Sequence, residues 1–268
     1  MTGDSPIFRG IVTVDNVDHR CYIKPATDHI RCPVSGMMLV NRALPAEVIG
    51  HVLASICGFK VADPAGIVLL TQEQIPASVL NRLHPQEDYF CWFGRDMEHP
   101  SLRQKHLGFE AFSPLMEARL LRLAKELSKH PELARLIAFD EWLLNSDRNL
   151  GNLLQTRRGE LILIDHERIF VYPNWTPGSM GKHPDPARNR IKDLVDVAIL
   201  RWSEQLPNKS ARVLAYNGFA VSFRDRAANE LRENLSKLLD RDEIEAVIDL
   251  LEQRLDPGAY ARSEGLIV

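Results

Sequence analysis

Residues 145–152 read NSDRNLGN, and residues 161–167 read LILIDHE. The span between them, NLLQTRRGELILID (152–165), reads as strand, turn and strand, with the turn at Thr156–Gly159. In an antiparallel hairpin the start of the first strand lies beside the end of the second. Asn152 and Asp165 are then neighbours, although they stand thirteen positions apart. Asp147 lies one short loop upstream of Asn152. Three oxygen-bearing side chains therefore converge on one edge of a hairpin.

Carboxylate and amide oxygens with no Cys or His beside them suit a hard cation such as Mg²⁺, held by Asn152 and Asp165. Mg²⁺ bound by one or two protein oxygens completes its shell with phosphates and water, as in nucleotide-using phosphotransferases. Asp147 need not be a ligand; it can accept the proton of a substrate hydroxyl and orient that oxygen for attack. The alternative stays open that the loop is a set of Asx turns and that Asp165 is a helix cap. The spacing of Asp147, Asn152 and Asp165 matches a kinase template of base Asp, metal Asn and strand-end metal Asp. Here NSDR stands in place of H-R-D and DHE in place of D-F-G, so an ordinary eukaryotic-type protein kinase is excluded.

The rest of the chain narrows the class. At 268 residues it has room for one large domain or two modest lobes. A formal net charge of −3 gives no overall pull toward nucleic acid or a membrane surface. The N-terminus MTGDSPIFRG does not read as a signal peptide, and no apolar run reaches the ~18 residues of a membrane span. Cys21, Cys32, Cys57 and Cys91 have no C-x-x-C spacing, so the expectation is a reducing, cytoplasmic setting without disulfides or zinc. No H-E-x-x-H is present among the nine histidines, which removes a zinc hydrolase.

FRGIVTV (8–14) and HRCYIKP (19–25) read as a hairpin around the turn 15–18. LPAEVIGHVLASICG (44–58) reads as a helix, with Pro45 in the first turn, Gly58 at the stop and one apolar stripe. GIVLL (66–70) and YFCWFG (89–94) read as further strands, the latter leading into a hinge. Its aromatics, like Trp142, Trp175 and Trp202, are expected in the core. Helical patterns follow at 113–130, 131–145, 185–206, 224–239 and 240–255, with a Gly/Pro-rich loop at 171–186. The expected fold is α+β and bilobal, with a β-rich N-lobe over 1–94 carrying one key helix and a helical C-lobe over 95–268.

AFDEWLLNSDRNLGNLL (138–154) with LILIDHERIF (161–170) resembles the catalytic block of the HipA-like kinases, in their short, single-chain form. LPAEVIGHVLASICGFKVADPAGIVL (44–69) is similar to that family's N-lobe helix and following strand, and Lys24 in YIKP occupies its ATP-lysine position. The likeness covers residues 8–170. It implies a protein-kinase-like fold and an ATP- and Mg²⁺-dependent kinase. Lys24 would hold the α- and β-phosphates and pair with Glu47. For Glu47 the residues alone leave a helix-dipole partner in the first turn equally open. For Arg148 both a phosphate contact and a carbonyl cap stay open.

The chain departs from the pattern in having no G-x-G-x-x-G; the first turn is VDNVDH (14–19). DHIRCPVSGMMLVNR (28–42) is a second candidate phosphate-facing loop. Larger members autophosphorylate a serine in such a loop, and Ser35 is the corresponding guess. The favoured reading is a kinase of protein Ser or Thr hydroxyls. A small-molecule kinase of aminoglycoside or choline type is one alternative, although Ser146 stands where those carry His. A pseudokinase that binds nucleotide and a partner is the other. Expected partners are ATP and a protein substrate, with no nucleic acid and no membrane.

Overall fold

The computed structural model describes residues 6–32, 36–108, 114–170, 175–176, 178 and 187–266. Ser35 and most of the 171–186 loop lie outside them.

The chain opens with β1 (Phe8–Val14) and β2 (Val17–Pro25), paired antiparallel from Phe8↔Ile23 to Val14↔Val17. Their turn is two residues long, not the four expected from sequence. Asp15 and Asn16 both sit at positive φ, 50° and 62°. A tight hairpin turn requires this of both central residues, and short polar side chains tolerate it best. A separate two-stranded ribbon follows, β3 (His29–Arg31) with β4 (Met38–Val40). Then come α1 (Ala43–Ile56), β5 (Lys60–Val61), β6 (Ala65–Thr71), the short α2 (Ala77–Leu80) and β7 (Asp88–Arg95). The main sheet is antiparallel in the order β1-β2-β7-β6. One face covers a small core of Cys21, Ile23, Ile75, Val79, Tyr89, Cys91 and Phe93.

The remainder is mostly helical: α3 (Leu102–His106), α4 (Pro114–Leu127) and α5 (Leu133–Trp142) come before the hairpin β8 (Leu153–Gln155) and β9 (Leu161–Leu163). After it come α6 (Arg190–Ala198), α7 (Leu206–Ser222), α8 (Ala228–Leu235), α9 (Arg241–Arg254) and α10 (Pro257–Ser263). A π-helical stretch, Phe223–Ala227, joins α7 to α8. The helix expected over 185–206 is shorter within the described residues, because the chain turns at Arg201, φ 57°. The 17 residues of α7, which opens with Pro207 in its first turn, are a helix that the sequence patterns above leave unassigned. Asn208, Asn217 and Gly218 lower its propensity, and a buried Arg212 interrupts its apolar stripe.

The larger core runs from α1 through α5, β8 and β9 into α7, α8 and α9. Trp142 stacks on Phe219, its ring centroid 5.8 Å away, and its indole N–H donates to the Leu251 carbonyl at 3.1 Å. Trp142, Trp175 and Trp202 are all buried, as expected from sequence. Although α1 belongs to the first part of the chain, Ile49, Leu53 and Ala54 are buried in this larger core. The β5 strand pairs parallel with β9, so sheet hydrogen bonds also cross from the first part to the second. The architecture is α+β and bilobal, a β-rich lobe set on a helical one. No helix of the described residues is long and apolar enough to cross a membrane.

Candidate active site

Alternation along β2 buries Cys21, Ile23 and Pro25 on one face and turns Lys24 to the other. There Lys24 Nζ lies 2.7 Å from Glu47 Oε1, 2.8 Å from Asp165 Oδ1 and 3.2 Å from Glu167 Oε2. Residues 23 and 141 positions apart in sequence thus meet at one ammonium. Glu47 is not in the first turn of α1, which begins at Ala43. Its side chain is 2% exposed, and its second oxygen accepts from the His166 backbone N–H at 2.7 Å. A helix-dipole role falls off beyond the first turn, which leaves the lysine pair as the physical reason for this glutamate. Burial pulls the Lys24 ammonium down, but Asp165, then Glu47 and Glu167, outweigh it and hold the group well above the usual lysine range. Burial pushes Glu47 up to about 7 against the pull of Lys24. Burial also raises Asp165, yet Lys24 wins there and keeps the carboxyl below its ordinary value.

Asp165 itself sits at φ 62°, a left-handed conformation costing a non-glycine residue roughly 1–2 kcal/mol. Neighbouring bonds hold it there. The Ile164 N–H donates to the Asn152 carbonyl at 3.2 Å, and Arg148 Nη1 donates to the Ile164 carbonyl at 2.7 Å. Arg148 is fully buried, with Nε 3.1 Å from Asp140 Oδ1 and Nη2 3.2 Å from His166 Nδ1. It is therefore a carbonyl cap and an internal tie rather than a phosphate contact. Burial pushes Asp140 up to about 6, against the pull of Arg148. Burial, then the Arg148 charge, holds His166 well below the ordinary histidine value, so the ring is neutral. With Nδ1 facing a donor, its proton is assigned to Nε2.

The Asx turns that sequence allowed are present, and Asn145 and Asn149 make them. Asn145 Oδ1 accepts from the Asp147 N–H at 3.1 Å, and Asn149 Oδ1 accepts from the Gly151 N–H at 2.8 Å. The Asp147 carboxylate is left out of that network. Instead Arg190 Nη1 stands 2.9 Å and Arg168 Nη1 3.8 Å from it. Asn152 Nδ2 donates to the Asp147 carbonyl at 3.3 Å, which ties the two loop residues together.

A cavity of about 300 Å³ opens between the lobes, lined by Lys24, Glu47, Asn152 and Asp165 at one end. Ala62, Ala65, Leu154 and Leu163 supply apolar walls, and Gly94–Met97 edge it where the hinge was expected. Asp147 is not a lining residue. Neither is the β1–β2 turn; Ile7, Tyr22 and Lys24 are the residues of that hairpin region that reach the cavity. The β7 aromatics divide: Tyr89 and Phe93 are buried, Phe90 is exposed, and Trp92 lines the cavity with His51 edge-on at 5.5 Å.

Among the described residues, carboxylate oxygens of Glu47, Asp165 and Glu167 lie within 4.8 Å of one another, a hard-oxygen group of the kind Mg²⁺ accepts. Glu167, Arg168, Arg190 and Asp140 are the site residues that sequence reasoning did not single out. The first two follow directly on Asp165-His166, but nothing in the sequence marks Arg190.

No protein-family model matches this chain. No curated protein matches it either. Among solved structures it is similar to the MAP kinase LmaMPK10 from Leishmania major, at 12% identity over 98% of this chain and 80% of that one, with a TM-score of 0.30. A score that low carries no weight for fold or function. The two-lobed arrangement rests on the chain's own geometry.

Proposed function

We propose that this chain is an ATP- and Mg²⁺-dependent phosphotransferase, a HipA-like kinase acting on Ser or Thr hydroxyls of a protein. The observation that carries the reading is the Lys24–Glu47 pair joined to Asp165 at the polar end of an apolar-walled cavity. Phosphoryl transfer needs positioning and charge neutralisation more than covalent chemistry. Lys24, fixed by Glu47, binds nucleotide phosphates. The apolar walls accept a flat base, and the backbone of Gly94–Met97 offers it hydrogen-bonding groups. Asn152 and Asp165 hold Mg²⁺, whose charge neutralises phosphate oxygens when it is bound. Asp147 orients the acceptor hydroxyl and takes its proton.

A nucleotide-binding module without turnover is the second reading. Two observations favour it: no part of the β1–β2 turn reaches the cavity, and Asp147 is ion-paired with Arg190.

Incubation with γ-labelled ATP and Mg²⁺, alone and with host lysate, separates the two, with Asp147→Ala in parallel. The kinase reading predicts label on a protein band, lost in the variant. Label absent while Mg·ATP still raises the melting temperature gives the second reading. Label confined to small molecules moves the substrate to the aminoglycoside or choline class.

A further inference from the structure

Two cations converge on the carboxylate assigned above as the base. Arg190, at the start of α6, reaches Asp147 Oδ1 at 2.9 Å, and Arg168 reaches Oδ2 at 3.8 Å. The loop brings no cation of its own to this face. Arg148 is buried against Asp140 and the Ile164 carbonyl. Asn149, two residues past Asp147, is turned back on the backbone, donating to the Asp147 carbonyl at 2.9 Å.

Two guanidinium groups meet on the Asp147 carboxylate, and Arg168 also lies 3.7 Å from Glu167, whose other oxygen faces Lys24. The Arg190 side chain stays 53% exposed, while that of Asp147 is only 19% exposed. A guanidinium presents five donors in a planar fork that fits phosphate and carboxylate in two-point contacts. For Arg190 the single Asp147 carboxylate does not exhaust that capacity.

We propose that Arg168 and Arg190 form an oxyanion seat beside Asp147, on the acceptor side of the cleft. It takes a phosphate-type group, and the assignment rests on the phosphotransferase reading of the same site. Its occupation draws Arg190 from Asp147 Oδ1 and leaves that oxygen to the acceptor hydroxyl. The transferring phosphoryl group and an acidic group on the acceptor share this chemistry.

The test is thermal unfolding of the wild type and of Arg190→Gln, Arg168→Gln and Arg190→Lys. Arg188→Gln serves as control, since Arg188 is paired with Asp193 at 2.5 Å. One arm adds inorganic phosphate against chloride at matched ionic strength, without nucleotide. The other adds Mg·ADP, with and without fluoroaluminate as a phosphoryl mimic. The seat predicts that phosphate or fluoroaluminate raises the wild-type melting temperature. Arg190→Gln removes that increment, Arg168→Gln reduces it, Arg190→Lys restores part, and Arg188→Gln leaves it intact. A fluoroaluminate increment assigns the seat to the transferring group; a phosphate increment alone assigns it to an acidic acceptor. No wild-type response to either oxyanion, or increments that survive in both glutamine variants, overturns the seat. Absence of any Mg·ADP shift while the phosphate response persists refutes the nucleotide reading and leaves the seat standing.

Discussion

Lys24 is surrounded by three carboxylates, and its removal leaves them facing one another in a largely buried space. Lys24→Met is therefore expected to lower the free energy of unfolding by about 3–5 kcal/mol, the range for breaking one side of a buried pair. Chemical denaturation measures it; a loss below about 1 kcal/mol contradicts the burial argument. The Asp140–Arg148 pair, 0% exposed on both sides, makes the same prediction more sharply. Arg148→Met alone is expected to cost more than Arg148→Met with Asp140→Leu, because the double variant leaves no buried carboxylate uncompensated. His166 gives a pH signature. Its folded pKa lies well below the ordinary 6.5, so under acid the unfolded chain takes up a proton that the folded chain resists. Stability contributed by His166 is thus complete above about 6.5 and falls as pH drops below it. His166→Asn keeps an acceptor toward Arg148 and removes this acid-side loss, so between pH 7 and 5 its melting temperature should change more favourably than that of the wild type. Glu47 and Asp140, whose raised values add stability as pH falls, titrate in both proteins. An unchanged slope contradicts the assignment.

Among the elements, α1 connects site to core. Gly50 lies where a Cβ would collide with the His166 ring, approaching its Nδ1 to 2.6 Å. Gly50→Ala should therefore destabilise by roughly 1–3 kcal/mol through overpacking, despite alanine's better helix propensity. His166→Ala in the same chain should recover part of that loss, and additive losses in the two changes would contradict the contact. Sequence showed α1, the β1–β2 hairpin and the 152–165 pairing because each carries a local signal: an apolar stripe, turn residues, a capping proline. It did not show α7, where the stripe includes the buried Arg212, held by Glu264 in the last turn of the chain. A long-range ion pair has no local signature. The same reason hid Arg190, whose partner Asp147 lies beyond β8 and β9 in sequence.

At the scale of the whole molecule, the sheet has its own small core, but α1 is buried against the later helices, and Arg42 at its start pairs with Glu243 at the start of α9. A fragment of residues 1–94 is expected not to unfold cooperatively on its own, because Ile49, Leu53 and Ala54 lose the surfaces that cover them. A sigmoidal thermal transition for that fragment would contradict this. Hairpin geometry made the approach of Asn152 and Asp165 legible in the sequence, while Asp147, expected beside them, does not line the cavity, and the place of Lys24 came from the family resemblance alone. The walls of the cavity were not legible, because they come from Ala62, Leu154 and other residues with no chemistry of their own.

Calorimetric titration of ATP into the wild type and Asp165→Asn, each with and without Mg²⁺, tests the central claim that this cleft holds a metal–nucleotide complex. The account predicts one site per chain whose affinity rises with Mg²⁺ in the wild type and loses that dependence in the variant. Binding absent from the wild type in Mg²⁺, or Mg²⁺ dependence intact in Asp165→Asn, would contradict it.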